Sequence, residues 1–174
     1  SLAAAAVPRD VEVEVLVCDN RSTDATADVV AAAAADLPLR YLREERQGKS
    51  WALLRLLGAA AGEWVLFLDD DVLADPGWLA AYAEGIRRYP RAACLGGQVL
   101  PWLDEPARAA RAALLARYPW MHSVVTFERD ETISPGELRF VHGPNLAVRR
   151  AALRPAGDVG PQRGRFGELR IAGA

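Results

Sequence analysis

The sequence predicts an α/β fold in which helices cover a mostly parallel sheet, forming an α/β/α sandwich. Short β-rich segments alternate with helical segments along the first half of the 174-residue chain. This order produces right-handed crossovers between parallel strands. The segment 64–68 is apolar throughout, as is typical of a strand that is buried on both faces of such a sheet. The length fits a single domain, residues 1–174.

Three strand–helix units are predicted in the first half of the chain. Each strand is rich in β-branched or other apolar residues, and each helix follows a polar turn. The predicted strands are 11–17, 39–42 and 64–68, and the predicted helices are 25–35, 50–61 and the segment that begins at 75. The residues predicted to begin these helices are Ser22 or Thr23, then Ser50, then Asp75 with Pro76.

The second half of the chain changes character. A glycine-containing strand at 93–100 leads to a helix at 106–118 and a polar, loop-like segment at 123–136. Residues 139–142 and 146–148 are predicted to form two short strands, or a strand and a bend, with Gly143 and Pro144 between them. No stretch has the composition of a linker or the periodicity of an internal repeat. We therefore expect one domain with two functional halves, residues 1–100 and 101–174.

Composition and charge exclude several classes of function. The net charge is −2 and the isoelectric point about 5.7, so no global positive field attracts nucleic acid or anionic membranes. Cys18 and Cys94 form neither a disulfide framework nor a metal-binding spacing, which fits a reducing compartment. The sequence has neither a signal peptide nor an apolar run of about eighteen residues. We expect a cytoplasmic protein with no nucleic-acid partner and no membrane span, held at the inner membrane face only through parts of a longer parent protein.

Asp69, Asp70 and Asp71 directly follow the apolar strand. The carboxyl ends of parallel strands open onto the crevice in which ligands bind. Carboxylate oxygens are preferred ligands of Mg²⁺ and Mn²⁺, and these ions in turn hold diphosphates. The alternative is a solvated acidic turn that caps the next helix. Three consecutive carboxylates favour the metal site.

Two further segments admit both a ligand-binding and a local structural interpretation. Asp19 and Asn20 end the first strand. A carboxylate there can accept a hydrogen bond from a nucleobase N–H, and the alternative is an Asx-turn, in which it accepts a backbone N–H of the following residues. The loop 46–50 precedes a helix whose N-terminus can bind phosphate, and the alternative is a capped helix start with solvated cations. This loop also suggests a P-loop nucleotide hydrolase with Asp69 or Asp70 beside Mg²⁺, but Arg43 occupies the position of the motif's first glycine.

A third segment comprises His142, Gly143 and Asn145. Glycine lets a backbone approach a ligand closely, and asparagine offers both a donor and an acceptor. From the residue types alone, a plain turn is the favoured alternative.

Four segments in this order resemble the family 2 glycosyltransferases, which have the nucleotide-sugar-binding GT-A fold. Residues 15–24 are similar to the family's V-D-N-G-S-T-D strand end, and residues 43–50 to its R-E-x-x-x-G-x-S loop. Residues 62–71 are similar to G-E-W-V-L-F-L-D-D-D, which contains the DxD signature as Asp69 and Asp71. Residues 143–150 are similar to G-A-N-x-A-F-R-R. The four motifs together extend over nearly the whole chain.

The resemblance implies an inverting transfer of a sugar from an NDP-sugar donor to a hydroxyl of a saccharide or lipid-linked acceptor, in polysaccharide or glycoconjugate synthesis. It implies that Asp19 contacts the nucleobase, Asp69 the ribose or the metal, and Asp71 the Mg²⁺ or Mn²⁺ that bridges the donor diphosphate. The other donor-binding residues that it implies are Asn20, Gln47, Gly48, Lys49 and Asp70, and the acceptor-side residues are His142, Gly143 and Asn145. The cation would stabilise charge on the departing diphosphate, while a carboxylate base deprotonates the acceptor hydroxyl.

The sequence departs from the family pattern at both ends. The family opens with a strand ending in P-x-Y-N, and this chain begins after it, so we expect a GT-A domain that lacks its first strand. The family's base belongs to an E-D pair expected beyond Ala174, and Glu168 is the one candidate within the chain. The alternatives are a fragment that binds nucleotide without turnover and the P-loop-like hydrolase.

Overall fold

A computed structural model describes residues 1–103, 105–118, 124–127, 130 and 143–153, with the backbone alone described at 105–110. The strands are β1 (Val15–Asp19), β2 (Leu39–Arg43), β3 (Trp64–Phe67), β4 (Cys94–Gly96) and β5 (Leu146–Arg149). The α-helices are α1 (Thr26–Ala33), α2 (Lys49–Ala59), α3 (Trp78–Arg88) and α4 (Glu105–Arg117). Short 3-10 turns lie at Leu2–Ala4, Gly143–Asn145 and Arg150–Ala152.

β1 and β2 form a parallel pair in which Val15 lies opposite Leu39 and Asp19 opposite Arg43. The sequence predicts that the first strand begins at residue 11, but the ladder begins at Val15. The partner strand sets this limit, because Pro38 precedes β2 and has no N–H to donate. The Pro38 carbonyl accepts the Val15 N–H at 3.0 Å and closes the ladder. Helices α1 and α2 pack against this pair, whose strands end side by side.

β3, β5 and β4 form a second sheet with β5 in the middle, antiparallel to both neighbours. β3 and β4 therefore run in the same direction, and α3 makes the crossover between them. Among the described strands, the parallel pairing expected from the sequence is confirmed for β1 with β2, whereas both ladders of the second sheet are antiparallel and β3 and β4 share only their direction. The start of β1 is tied to the segment before β3, because the Glu14 carboxylate accepts the N–H groups of Ala61 and Gly62 at 2.7 and 3.2 Å.

The predicted caps of α1 are wrong. The helix begins at Thr26 after Ala25, and neither Ser22 nor Thr23 caps it. Asp24 instead accepts the Thr26 N–H at 3.0 Å and the Thr26 hydroxyl at 2.5 Å. This is an Asx-type turn, and it comes later than expected because Ser22 is already bound to the end of β1.

The start of α3 also lies later than predicted. The helix begins at Trp78 with Gly77 as its N-cap, so Pro76 is outside it. Asp75 still ends the preceding turn, since its carboxylate accepts the Gly77 N–H at 2.7 Å. The Asp75 side chain therefore stabilises the turn that leads into the helix, but it lies two residues before the N-cap.

The second half of the chain is partly described. α4 and β5 confirm the predicted helix at 106–118 and strand at 146–148. β4 is shorter than the predicted strand at 93–100, because the chain leaves β5 after Gly96 and Val99 pairs with Val125 in an isolated bridge. The predicted strand at 139–142 and most of the loop at 123–136 lie outside the described residues. In the described part of the chain, no helix is long and apolar enough to cross a membrane.

Ala147 lies at the centre of the second sheet, opposite Leu66 of β3 and Leu95 of β4, and is 0% exposed. A larger side chain there must displace packed neighbours. We expect Ala147→Leu to lower the free energy of unfolding by about 2 kcal/mol, measured by urea denaturation. The same substitution at Ala113, which is exposed on α4, is the control and should change stability by less than about 0.5 kcal/mol. Equal effects at the two positions would contradict the assignment of Ala147 to the core.

Candidate functional site

Three polar segments follow β1, β2 and β3 at their carboxyl ends. They are residues 19–20, the strand-end loop 44–48 and the acidic turn 69–71. The parallel register brings the first two segments together, because Asp19 lies opposite Arg43. The Glu44 N–H donates to the Asp19 carbonyl at 2.9 Å and extends the contact past the last pair of the ladder.

The Asp19 carboxylate is buried and bound by three groups of its own chain. Its side chain is 1% exposed. It accepts the Tyr41 hydroxyl at 2.5 Å, the Ser22 N–H at 2.7 Å and the Arg43 guanidinium at 3.1 Å. The bond from Tyr41, and next that from Ser22, lower the pKa of Asp19 to about 2. Both carboxylate oxygens therefore have protein partners, and the nucleobase contact implied for Asp19 stays a prediction.

The Asn20 side chain fixes the shape of the strand-end loop. Its Nδ2 donates to the carbonyl oxygens of Glu44 at 3.2 Å and Arg46 at 2.7 Å. Its Oδ1 accepts the Gly48 N–H at 2.6 Å. All three partners belong to the loop, so the turn after β1 determines the conformation of the turn after β2. A nucleotide contact of Asn20 likewise stays a prediction.

Within the loop, Glu44 is 5% exposed and is bound by Arg46 in three ways. The carboxylate accepts the Arg46 backbone N–H at 2.9 Å, Nε at 2.7 Å and Nη2 at 2.8 Å. These bonds, that of the Arg46 side chain first, lower the pKa of Glu44 to about 2. The Arg46 guanidinium also lies 3.9 Å from the centroid of the Trp51 ring. The loop is therefore held by its own side chains.

These contacts disfavour the P-loop interpretation. A P-loop binds phosphate through free backbone N–H groups in a glycine-rich turn. Here the N–H of Arg46 is bound by Glu44 and the N–H of Gly48 by Asn20. Two of the donors that a phosphate would need are thus already engaged.

The loop ends at Gly48, which has φ 132° and is the N-cap of α2. A side chain at this φ would be strained, so glycine is required there. The helix begins at Lys49, and the predicted cap at Ser50 is therefore wrong. Gln47 and Lys49, which precede and follow this glycine in the sequence, are both exposed.

Lys49 links the strand-end loop to the acidic turn. Its Nζ lies 3.2 Å from Oδ1 of Asp69, and the two side chains are 68% and 35% exposed. Lys49 is also the single lysine in the sequence. A cation at a helix N-terminus and a carboxylate at a strand end thus meet in an accessible position, open to a ligand that competes for both.

The acidic turn presents carboxylates to solvent. It is closed by the Val72 N–H, which donates to the Asp69 carbonyl at 3.3 Å, and Asp70 and Asp71 are exposed. The described residues contain no cluster of three or more His, Cys, Asp or Glu side chains arranged to hold a metal. The donor set still fits a hard cation, because Mg²⁺ is commonly held by one or two carboxylates and completed by water and phosphate. Asp69 and Asp71 supply such a pair.

The turn Gly143–Asn145 lies beside the end of β3. It leads directly into β5, whose first residue, Leu146, pairs with Phe67. Two acceptor-side candidates are therefore close to the acidic turn in the sheet. The other predicted site residues, His142 and Glu168, lie outside the described residues.

Sequence reasoning missed Tyr41, Glu44 and Trp51, although each helps to hold the site. Tyr41 is the middle residue of β2, Glu44 ends the ladder, and Trp51 lies in the first turn of α2. An aromatic residue two positions before an arginine at a strand end is the available signal for Tyr41. No spacing rule assigns its partner, because the contact with Asp19 depends on the register of β1 and β2.

Comparison with known sequences identifies the family. The sequence profile of glycosyl transferase family 2 matches residues 2–156, which is most of the chain. The chain belongs to this family. The resemblance carried by the four motifs is confirmed, and with it the α/β fold of GT-A type and the assignment to the glycosyltransferases.

Several curated proteins are related to this family 2 chain. The glucosyl-dolichyl phosphate glucuronosyltransferase of Haloferax volcanii is 25% identical over 131 residues, which cover 75% of this chain and 40% of that protein. The N-acetylglucosaminyl-diphospho-decaprenol L-rhamnosyltransferase of Mycobacterium tuberculosis is 27% identical over 210 residues, covering 98% of this chain and 67% of that protein. The succinoglycan biosynthesis protein ExoM of Rhizobium meliloti is 29% identical, covering 87% and 46%. The chain thus spans 40% to 67% of the length of these relatives.

Solved structures agree with the fold. The crystal structure of residues 1–349 of S. aureus TarS is 29% identical with a TM-score of 0.51, covering 58% of this chain and 32% of that chain. A crystal structure of a mycobacterial protein is 22% identical with a TM-score of 0.50, covering 79% and 43%, and supports the fold alone. The family 2 chain therefore shares its fold with these two solved structures over more than half its length.

Proposed function

We propose that this chain binds the diphosphate of an NDP-sugar together with Mg²⁺ or Mn²⁺ between the strand-end loop and the acidic turn, and transfers the sugar with inversion to an acceptor hydroxyl. The contact between Lys49 and Asp69 at 3.2 Å carries the proposal. It brings an exposed cation and the predicted metal-binding carboxylates to one place. A metal-bound diphosphate requires both kinds of group, since its oxygens bind the cation and positively charged donors.

Each residue of the proposed site has a separate role in binding the donor. Asp69 and Asp71 would hold the cation, and that cation would stabilise the negative charge on the departing nucleoside diphosphate. Lys49 is released from Asp69 to bind a phosphate oxygen, while Gln47 contributes a second polar group at the N-terminus of α2. Asp19 and Asn20 keep the loop in place beside the nucleobase.

The acceptor is proposed to be a saccharide or a lipid-linked molecule. Two relatives are named for transfer to dolichyl- or decaprenol-linked molecules, and this supports a lipid-linked acceptor. We expect the reaction on the cytoplasmic side, with a carboxylate base outside the described residues accepting the proton of the acceptor hydroxyl.

Calorimetric titration with nucleotides tests the proposal. The chain is titrated with UDP, GDP and ATP, each with and without Mn²⁺. We expect one nucleoside diphosphate to bind in a metal-dependent manner and more tightly than ATP. Preference for ATP would contradict the proposal and favour a nucleotide hydrolase. Sugar nucleotides with a hydroxyl acceptor then distinguish a transferase from a fragment that binds without turnover.

Lys49 provides a more local test. We expect Lys49→Gln to weaken nucleoside diphosphate binding about tenfold, which corresponds to the loss of one charge-assisted hydrogen bond. Because the Lys49–Asp69 pair is exposed, the free energy of unfolding should change by less than about 0.5 kcal/mol. Arg111→Gln, which removes an exposed cation of α4, is the matched control and should leave binding unchanged.

The single lysine gives an independent measurement of the same contact. An amine-acylating reagent modifies Lys49 and the N-terminus, and peptide mass spectrometry separates the two products. Bound nucleoside diphosphate with Mn²⁺ should slow acylation of Lys49. Equal rates with and without nucleotide would contradict a phosphate contact at Lys49.

A further inference from the structure

The side chain of Asn145 joins three segments of the chain. Its Oδ1 accepts Nε1–H of Trp78 at 2.8 Å and the hydroxyl of Tyr82 at 2.7 Å. Its Nδ2 donates to the carbonyl of Gln98 at 2.7 Å. An amide oxygen has two lone pairs, so the acceptor capacity of this side chain is fully used within the protein. We call this arrangement the Asn145 junction.

Gly97 is fitted closely to the junction. Its N–H donates to the backbone carbonyl of Asn145 at 3.1 Å. A Cβ at position 97 would lie 2.3 Å from Nδ2 of Asn145, which no side chain tolerates without displacement. Glycine is therefore the residue that lets the amide reach Gln98.

The two donors from α3 are themselves held in place. The rings of Trp78 and Tyr82 meet edge to face with centroids 5.4 Å apart. Tyr82 is 7% exposed, and its burial raises the pKa of the hydroxyl, which therefore remains a hydrogen-bond donor. The amide thus has rigid partners on one side and the backbone after β4 on the other.

Asn145 lies between the two elements that flank the acidic turn, β3 and α3. The chain enters this turn from β3 and leaves it through residues 72–77 into α3. Asn145 precedes β5, which pairs with β3 up to Phe67, and its side chain binds the first two turns of α3. The exit is therefore bound by the Asn145 side chain, and the entry is held by the backbone ladder of β5, which begins at the next residue.

We propose that Asn145 is a positioning residue, whose amide holds the start of α3 and the segment after β4 against β5 and so fixes how Asp69 and Asp71 present their carboxylates to the cation. The effect on the cation rests on the proposed function. The role differs from the acceptor contact implied by the family resemblance, because the Asn145 amide is bound by protein groups on three sides.

Metal dependence of nucleotide binding tests this role. In Asn145→Ala we expect the Mn²⁺ concentration for half-maximal nucleoside diphosphate binding to rise about tenfold, as when the support of a metal ligand is lost. The control is Trp64→Phe, at the opposite end of β3, which weakens the same sheet and should leave the Mn²⁺ requirement unchanged. Tyr82→Phe, which removes one of the bonds to Oδ1, should give a smaller rise and serves if Asn145→Ala folds poorly.

Gly97 allows a second test that does not depend on nucleotide. Gly97→Ala and Asn145→Ala should each lower the urea midpoint of unfolding and shift the indole N–H resonance of Trp78. The double variant should be no less stable than Asn145→Ala alone, because alanine at 145 makes room for the new Cβ. Additive losses in the double variant would overturn the junction itself.

The outcomes separate the two proposals. If the unaltered chain binds nucleoside diphosphate and Asn145→Ala keeps the same Mn²⁺ requirement, the positioning role is overturned and the proposed function stands. If Trp64→Phe raises the requirement as much as Asn145→Ala, the effect is general destabilisation and the role is again overturned. If the unaltered chain binds no nucleotide, the proposed function fails and the effect on the cation fails with it.

Discussion

Replacement of Asp71 by asparagine is expected to abolish the metal-dependent part of nucleoside diphosphate binding. The amide has the same size but no charge, and a neutral oxygen is a poorer ligand for Mg²⁺ or Mn²⁺ than a carboxylate. We expect the affinity measured in Mn²⁺ to fall by about a hundredfold, towards the affinity without metal. Asp71 is exposed, so the free energy of unfolding should change by less than about 0.5 kcal/mol. Loss of binding would then reflect loss of the cation.

Asp36 provides the matched control for this experiment. It is an exposed aspartate between α1 and β2, at the amino edge of the parallel pair and opposite to the proposed site. Asp36→Asn removes the same charge and should leave nucleotide binding unchanged. A similar loss in both variants would indicate a general effect of net charge. Full metal-dependent binding by Asp71→Asn would remove Asp71 from the metal site.

The position of the site could be predicted from the sequence, because it depends on local patterns. An apolar strand followed by three aspartates and a second strand followed by Asp19 and Asn20 identify the strand ends. Parallel pairing of β1 with β2 then brings the segments after them to one edge. The antiparallel direction of β5 could not be inferred, since it pairs with β3 and β4 from far along the chain.

The roles of individual side chains were harder to predict. The residue types that bind ligands, such as Asp and Asn, also form hydrogen bonds with backbone groups of the turns around them. The structure separates the candidates into two groups. Asp19, Asn20 and Asn145 are engaged by protein groups and hold the loops in place. Lys49 and Asp71 are exposed. Burial and hydrogen-bond partners make this distinction, and both depend on contacts between residues distant in sequence.

Asp19 belongs to the first group, and its replacement is expected to have the largest effect on stability. Asp19→Asn leaves one acceptor oxygen where there were two, so in either orientation of the amide its NH₂ group faces a donor, the Ser22 N–H or the pair from Tyr41 and Arg43, that it cannot accept. We expect the free energy of unfolding at pH 7 to fall by about 3 kcal/mol, because a buried carboxylate loses its charge-assisted hydrogen bonds and a donor is left unpaired. Urea denaturation measures this loss. Asp36→Asn, with an exposed carboxylate, is the control and should be nearly neutral.

The pH dependence of the same variant distinguishes lost charge from lost packing. The pKa of Asp19 lies at about 2 in the folded chain, below its ordinary value of 3.8, so the folded state holds the proton less tightly than the unfolded state. The stability contributed by this carboxylate is therefore fully present above about pH 5 and is lost as the pH falls towards 2. The difference in unfolding free energy between the unaltered chain and Asp19→Asn should shrink over that interval.

Tyr41→Phe isolates the main cause of this shift. The variant keeps the Asp19 carboxylate and removes the hydroxyl that contributes most to its low pKa, so the pKa of Asp19 should rise towards its ordinary value. The loss of stability with acid should then be smaller and should be complete at a higher pH than in the unaltered chain, while the pH at which it begins, set by the unfolded state, stays the same. A difference between Asp19→Asn and the unaltered chain that stayed constant from pH 7 to pH 2 would show that packing, and not the charge bound by Tyr41, Ser22 and Arg43, makes Asp19 important.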